Sequence, residues 1–252
     1  MSKQTFSCKQ HFRILAVLSF FQALNLNCAL GAEFRIATPQ ELIEFSNNVN
    51  KGTSYSGTTV FLDSGIDLTG KTFEPIGYSY SYQFRGVFDG QGHVISNLKM
   101  DSSSSQYVGL FGYSTGLTIK NVILDSSCSI TCSYSGSNYA YVGGIIGYCY
   151  ADDGKCAIEN SVNMGSVSFS GYIRSSSYSL NLGGIAGYLY SYIYDSTVKN
   201  CANYGDVTYS GTSWSSYIGG IVGYSDSYYS SYGVYIYNSL NHGTITQWHN
   251  IK

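Results

Sequence analysis

The chain has 252 residues, of which 11% are charged, and its formal net charge is −2. Gly (29) and Tyr (26) are frequent and Pro occurs only twice, which favours a β-rich protein with a polar, nearly neutral surface. This charge balance argues against nucleic acid and anionic membranes as partners.

Residues 1–31 have the pattern of a cleavable secretory signal. An apolar run at residues 14–26 follows basic residues, and small residues precede a cleavage site that we predict near Gly31. The run is short for a membrane span, although an uncleaved anchor is the alternative. Cleavage would leave 10 Lys and Arg against 15 Asp and Glu, and no later apolar run approaches the roughly 20 residues that a span needs. We expect a secreted or cell-surface protein with no membrane span after cleavage.

A short helix is predicted next. Thr38, Pro39 and Glu41 form a capping box with proline at the first helical position. Apolar residues then recur at helical spacing as far as Val49. We predict a helix from Pro39 to about Val49 that covers the N-terminal end of a β-structure.

The second half of the chain repeats one phrase. Gly-x-x-Gly-Tyr begins at Gly109, Gly144, Gly184 and Gly220. Later in each unit come an apolar residue, a spacer and an asparagine, and three units close with Asn-x-Gly. Such self-similarity is typical of solenoids, whose units bury their apolar faces against each other. We predict an all-β fold, a single right-handed parallel β-helix with the N-terminal helix as its cap.

The aligned asparagines are Asn121, Asn160, Asn200 and Asn238. Each follows a residue expected in the core, so we predict an internal ladder in which each side-chain amide bonds the backbone and the next amide. A polar binding row is the alternative.

These motifs resemble the GLUG motif, named for Gly-Leu-any-Gly. The resemblance rests on Tyr141–Tyr148, Asn181–Tyr188 and Tyr217–Tyr224, and on an upstream block that includes Phe84–Leu98. We predict that the mature chain is divided into a cap helix with first coils at 32–100 and a repeat β-helix at 101–252. The resemblance implies a secreted or surface-displayed region, often associated with adhesion and found beside the peptidase in some immunoglobulin-A-cleaving enzymes. It brings no catalytic residues.

Seven cysteines fall to five once the signal is removed, so at least one thiol stays unpaired or pairs with another chain. Cys149 and Cys156 flank an acidic loop, and a disulfide between them is predicted in an oxidising compartment. Cys128 and Cys132 could close a smaller loop. Neither pair has zinc-ligand spacing or a nearby histidine, so we expect no metal and no cofactor.

The sequence contains no recognisable catalytic constellation. Asp152 and Asp153 are adjacent in a loop, where a solvated turn explains them better than calcium does, and Asp89 sits at a glycine-rich corner typical of a turn residue. No nucleophile with a nearby base is apparent. We predict a protein that is not an enzyme.

The remaining candidates are tyrosines in serine-rich loops, a combination that serves recognition in antibody paratopes. The predicted ligand-binding residues are Tyr190, Tyr192, Tyr228, Tyr229 and Tyr232. Outward strand positions also favour tyrosine for its β-propensity alone, and this interpretation stays open. We predict a non-enzymatic module that binds an extracellular glycan or surface protein, as in adhesion. The alternative is a non-catalytic scaffold region of a secreted peptidase or carbohydrate-active enzyme.

Overall fold

The computed structural model describes residues 31–247. The predicted signal peptide lies outside the described residues except for Gly31. No helix within residues 31–247 has the length and apolar character to cross a membrane.

The described chain is built from one helix and many short strands, and every pairing between these strands is parallel. The helix is α1 (Pro39–Val49). The strands are β1 (Ala32–Ile36), β2 (Thr58–Leu62), β3 (Ile66–Asp67), β4 (Val87–Asp89), β5 (Val94–Ser96), β6 (Lys99–Ser102), β7 (Tyr107–Val108), β8 (Phe111–Ser114), β9 (Leu117–Lys120), β10 (Ile123–Leu124), β11 (Ser129–Cys132), β12 (Ser135–Gly136), β13 (Ala140–Gly143), β14 (Ile146–Ala151), β15 (Cys156–Glu159), β16 (Val162–Asn163), β17 (Ser166–Phe169), β18 (Tyr172–Ile173), β19 (Leu180–Gly183), β20 (Ala186–Ser191), β21 (Ser196–Lys199), β22 (Ala202–Asn203), β23 (Val207–Tyr209), β24 (Ser216–Gly219), β25 (Val222–Ser227), β26 (Val234–Tyr237), β27 (Leu240–Asn241) and β28 (Ile245–Gln247).

Strands from successive repeats stack into sheets that run along the molecule. The longest has seven strands in the order β1-β2-β4-β9-β15-β21-β26, and each of the other large sheets takes one strand from each repeat. Equivalent residues lie in register: Ile119 pairs with Ile158, and Ile158 with Val198. The molecule is therefore a parallel β-solenoid, as the repeats predict, with neighbouring coils about 4.8 Å apart.

The repeated glycine phrase lines the core. Its middle residues Leu110, Ile145 and Ile185 are fully buried. The glycines beside them allow close approach: a Cβ on Gly184 would collide with the carbonyl oxygen of Gly220 and with the Asn203 side chain. Glycine is required there because backbone and a buried amide occupy the space of any side chain.

The predicted helix is present with its predicted cap. The Thr38 hydroxyl accepts from the Glu41 N–H at 3.2 Å, and the Glu41 carboxylate accepts from the Thr38 N–H at 3.0 Å. Leu42, Phe45 and Val49 are fully buried in the core. Strand β1, which the sequence pattern did not predict, precedes the helix and pairs with β2.

The predicted internal asparagine ladder lies at the surface instead. The outer asparagine row comprises Asn97, Asn121, Asn160, Asn200 and Asn238, all with φ between 49° and 56°. Its amides do bond one another, with Asn200 Nδ2 donating to Asn160 Oδ1 at 3.0 Å. Asn160 and Asn200 are exposed, however. The residues turn left-handed corners, a conformation that asparagine tolerates well, and such a corner points the side chain outward.

The buried ladder is formed by the asparagines of the Asn-x-Gly phrase. This inner asparagine ladder comprises Asn163, Asn203 and Asn241, the first two fully buried. Asn163 Nδ2 donates to Asn203 Oδ1 at 2.9 Å, and Asn203 Nδ2 to Asn241 Oδ1 at 2.7 Å. Each amide also bonds the carbonyl of the glycine two residues on. Burying these amides costs little free energy because they are hydrogen-bonded to the backbone and to one another.

The final described coil leaves its apolar side uncovered. Ile236, Leu240 and Ile245 are 45–46% exposed, whereas Val198 and Val207, one coil earlier, are fully buried. Tyr235 and Tyr237 lie at the outward-facing positions of this coil, as Thr197 and Lys199 do one coil earlier.

Candidate functional site

Many of the tyrosines pack against one another in two rows at the corner between the β13 and β14 sheets. The packed tyrosine rows are Tyr107, Tyr141 and Tyr217 in one and Tyr113, Tyr148, Tyr188 and Tyr224 in the other. Rings one coil apart lie 5.1–5.2 Å apart along the second row. Burial raises the pKa of Tyr141 and Tyr148 far above the usual tyrosine value. These rings, apart from Tyr217, which is 41% exposed and is separated from Tyr141 by Asn181, are packing residues rather than a recognition surface.

A second set of rings lies further along the same strands and faces solvent. Tyr150 pairs with Tyr190, and Tyr190 with Asp226, so the three occupy one position in successive coils. The rings of Tyr150 and Tyr190 stack with centroids 5.3 Å apart. Tyr80 is 67% exposed and its ring lies 5.5 Å from that of Tyr113 in the adjacent packed row.

Loop tyrosines extend this exposed surface. The centroid of Tyr192 lies 5.1 Å from Tyr228 and 5.4 Å from Tyr229, and these two rings meet edge to face at 4.7 Å. Tyr192 also lies 5.5 Å from Tyr150, which joins the loop cluster to the strand rings. Tyr228 and Tyr229 remain 61% and 45% exposed. The aromatic surface is therefore continuous across three coils.

The loops that carry these rings are held by covalent and backbone links. A disulfide joins Cys149 and Cys156 and closes the loop at residues 150–155. The Ala151 carbonyl accepts from the N–H groups of the 192–194 segment at 3.2–3.3 Å, and the Tyr228 N–H donates to the Ser191 carbonyl at 2.9 Å. The next turn is held by the Gly233 N–H, which donates to Asp195 Oδ1 at 3.0 Å. Each loop thus rests on the one before it.

Carboxylates flank the exposed rings. Burial and the nearby Asp152 raise the pKa of Tyr150 to about 12. Burial, followed by Asp226, raises the pKa of Tyr190. Ion pairs within residues 31–247 involve other acids, including Asp153, which pairs with Arg85. The site is thus aromatic and negatively charged. We name it the tyrosine–aspartate stripe, composed of Tyr150, Tyr190, Tyr192, Tyr228, Tyr229, Asp152 and Asp226.

The structure brings together four of the five tyrosines predicted as ligand-binding residues. The fifth, Tyr232, is exposed and donates its N–H to the Tyr229 carbonyl at 3.1 Å, but the ring contacts found within residues 31–247 do not include it. Sequence reasoning missed Tyr150 and Asp226, and it assigned Asp152 to a solvated turn. The alignment of Tyr148-Cys149-Tyr150 with Tyr188-Leu189-Tyr190 was the signal for Tyr150.

Other candidates take structural roles. Cys128 and Cys132 are free and buried, so the smaller disulfide considered for them is not formed. Cys128 precedes strand β11 and Cys132 is its last residue, and four residues of extended chain span about 13 Å, too far for a disulfide. Asp89 accepts from the Gln91 N–H at 2.9 Å, as a turn residue does. In the range 31–247, no three His, Cys, Asp or Glu side chains cluster closely enough to hold a metal ion.

The fold and the stripe together define a class, a parallel β-solenoid that displays an exposed aromatic surface. Neither a protein-family model nor a curated protein sequence matches the chain. Among solved structures, the chain is similar to a "putative immunoglobulin A1 protease" from Bacteroides ovatus, with 20% sequence identity and a TM-score of 0.58. The match covers 88% of this chain and 70% of that chain. At this identity, the similarity establishes the fold alone.

Proposed function

We propose that the protein is a non-enzymatic, exported binding module of GLUG type that recognises an extracellular glycan or surface protein, as in adhesion. The observation that carries the proposal is the tyrosine–aspartate stripe. Its rings come from the ends of strands β14 and β20 and from the loops that follow β20 and β25, and together they form one surface across three successive coils. Recognition residues commonly lie on loops that a rigid scaffold positions.

The chemistry of the stripe suits recognition better than packing. Tyr228 and Tyr229 leave about half of their surface in water, where apolar area gives no folding benefit. Tyrosine offers rigid contact area and a hydroxyl for hydrogen bonding at a low cost in conformational entropy. Contiguous exposed aromatic surface is uncommon on proteins without partners.

Export is supported by the disulfide between Cys149 and Cys156, because such bonds persist in oxidising compartments. The signal-like pattern of residues 1–31 also supports export. N-terminal sequencing of secreted material should give a start between about Ala29 and Phe34. A membrane-retained species that begins at Met1 would contradict export by signal cleavage.

A scaffold role within a secreted enzyme is the second candidate. It is favoured by the similarity in fold to the Bacteroides ovatus protein, whose name reads "putative immunoglobulin A1 protease". Genomic sequence distinguishes the two candidates: a reading frame that continues past Lys252 into a peptidase or carbohydrate-active domain would favour the scaffold role.

The direct test is an array of glycans and extracellular-matrix proteins probed with the purified protein. Tyr228→Ser with Tyr229→Ser should remove the captured signal, because each lost aromatic contact costs about 1–2 kcal/mol of binding. Tyr172→Ser with Tyr204→Ser is the matched control, since these tyrosines are 42% and 49% exposed outside the stripe. Equal binding by the two double variants would place recognition elsewhere.

A further inference from the structure

The tyrosine–aspartate stripe carries charge of one sign. Asp152 and Asp226 belong to it, and the ion pairs found within residues 31–247 include neither. Arg85 and Lys155 line a groove together with Asp153, and none of the stripe residues lines that groove. A cationic ligand would therefore meet two carboxylates that have no cation of their own.

The rings on the stripe add to this preference. The face of an aromatic ring attracts ammonium and guanidinium groups. The protein already uses such contacts elsewhere: the Arg35 guanidinium lies 4.9 Å from the Phe61 centroid, and the Lys199 ammonium 5.9 Å from that of Tyr237. Exposed rings beside unpaired carboxylates offer the same interaction to a ligand.

The spacing along the stripe indicates the shape of the ligand. Tyr150 and Asp226 occupy equivalent positions two coils apart, which is about 10 Å at the usual strand spacing. In a polyproline II segment, side chains three residues apart share one face and lie about 9 Å apart. Grooves lined with aromatic rings are known to take segments in this conformation. A basic residue at every third position would thus match the stripe.

We propose that the stripe binds a cationic polypeptide segment in polyproline II conformation, with Lys or Arg side chains three residues apart, one over the Tyr150 ring beside Asp152 and the next at Asp226. This inference rests on the proposed function, because it names the ligand class of the same surface. It excludes a neutral polysaccharide as the main ligand.

The test is fluorescence anisotropy of labelled peptides with the purified protein. A repeating Pro-Pro-Lys peptide should bind, and a Pro-Pro-Gln peptide of the same length should bind at least about tenfold more weakly. Asp152→Asn with Asp226→Asn should abolish that difference. The control pair Glu44→Gln with Glu74→Gln makes the same change in net charge at exposed sites outside the stripe and should leave it intact.

Other outcomes separate the two proposals. If the aspartate double variant and the glutamate control variant weaken Pro-Pro-Lys binding equally, the attraction is non-specific and the cationic-ligand proposal fails. If neutral or amine-bearing polysaccharides bind, and only the Tyr228→Ser, Tyr229→Ser variant loses them, the proposed function stands and the polypeptide ligand is wrong. If no probe binds and the array stays empty, both proposals fail.

Discussion

The side-chain amide of Asn163 donates to Oδ1 of Asn203 at 2.9 Å, although forty residues of sequence separate them. Both side chains are fully buried. The bond links two coils through the interior and runs parallel to the backbone hydrogen bonds of the sheets. It makes each Asn-x-Gly phrase dependent on its neighbour, which is the local basis of the stacking.

Asn203→Ala should lower the free energy of unfolding by about 2–4 kcal/mol, because it leaves Gly205 O and Asn241 Oδ1 without their donor. Urea denaturation would measure the loss. Asn200→Gly is the control, since it removes an exposed amide while keeping the left-handed corner accessible. A change of similar size in both variants would argue against a special role for the inner asparagine ladder.

Gly184→Ala should destabilise the fold by about 1–3 kcal/mol or prevent folding, because the added methyl group would collide with backbone and with Asn203. Gly154→Ala is the matched control, because a Cβ added at Gly154 would lie 3.7 Å from its nearest neighbouring atom, Gly116 Cα, which is an ordinary van der Waals contact. Thermal unfolding followed by circular dichroism would compare the two. Equal melting temperatures would be inconsistent with the close approach at Gly184.

Substitution of a packed tyrosine should lower the free energy of unfolding more than substitution of an exposed tyrosine. Tyr148→Ala removes a half-buried ring that stacks on Tyr141 and Tyr188, and should cost about 3–5 kcal/mol. Tyr228→Ser, at a ring that is 61% exposed, should cost less than about 1 kcal/mol. Chemical denaturation of both variants is the measurement. A large loss for Tyr228→Ser would show that the stripe is packing surface.

Stability should fall at alkaline pH. Burial raises the pKa of Tyr113, Tyr141, Tyr148 and Tyr188 in the folded protein, whereas an unfolded tyrosine titrates near pH 10. The unfolded state therefore loses protons first, so this contribution to stability is fully present below about pH 10 and declines above it. Urea midpoints from pH 8 to 11, with phenolate absorbance, would follow the change. Complete tyrosine titration near pH 10 in a still-folded protein would contradict it.

The free thiols should be inert in the folded state. Burial raises the pKa of Cys128 and Cys201 to about 11 and that of Cys132 to about 12, so little thiolate forms at pH 8. Mass-spectrometric mapping after alkylation at pH 8 should find these residues unmodified, and modified once urea is added. Rapid labelling without denaturant would show that the core opens at these positions.

The solenoid fold and the helix cap could be predicted from the sequence because their signals are explicit in it. The glycine phrase recurs at Gly144, Gly184 and Gly220, and a unit that cannot bury its apolar face alone must stack. The cap of α1 was equally readable, since Thr38 and Glu41 satisfy each other over three residues. Both features depend on contacts that are local or identical from unit to unit.

Tertiary structure alone decided what each polar residue faces. The chain places Asn160 and Asn163 three residues apart, and only the left-handed corner at Asn160, with φ of 49°, turns one outward and leaves the other inside. Tyr148 and Tyr150 also look equivalent in sequence, and both lie on the outward face of β14. The first is packed against the ring of Tyr141 and the second contacts the loop ring of Tyr192. Side-chain direction at a corner depends on backbone dihedrals, and the surroundings of a side chain on a strand depend on the neighbouring coil; a residue pattern records neither.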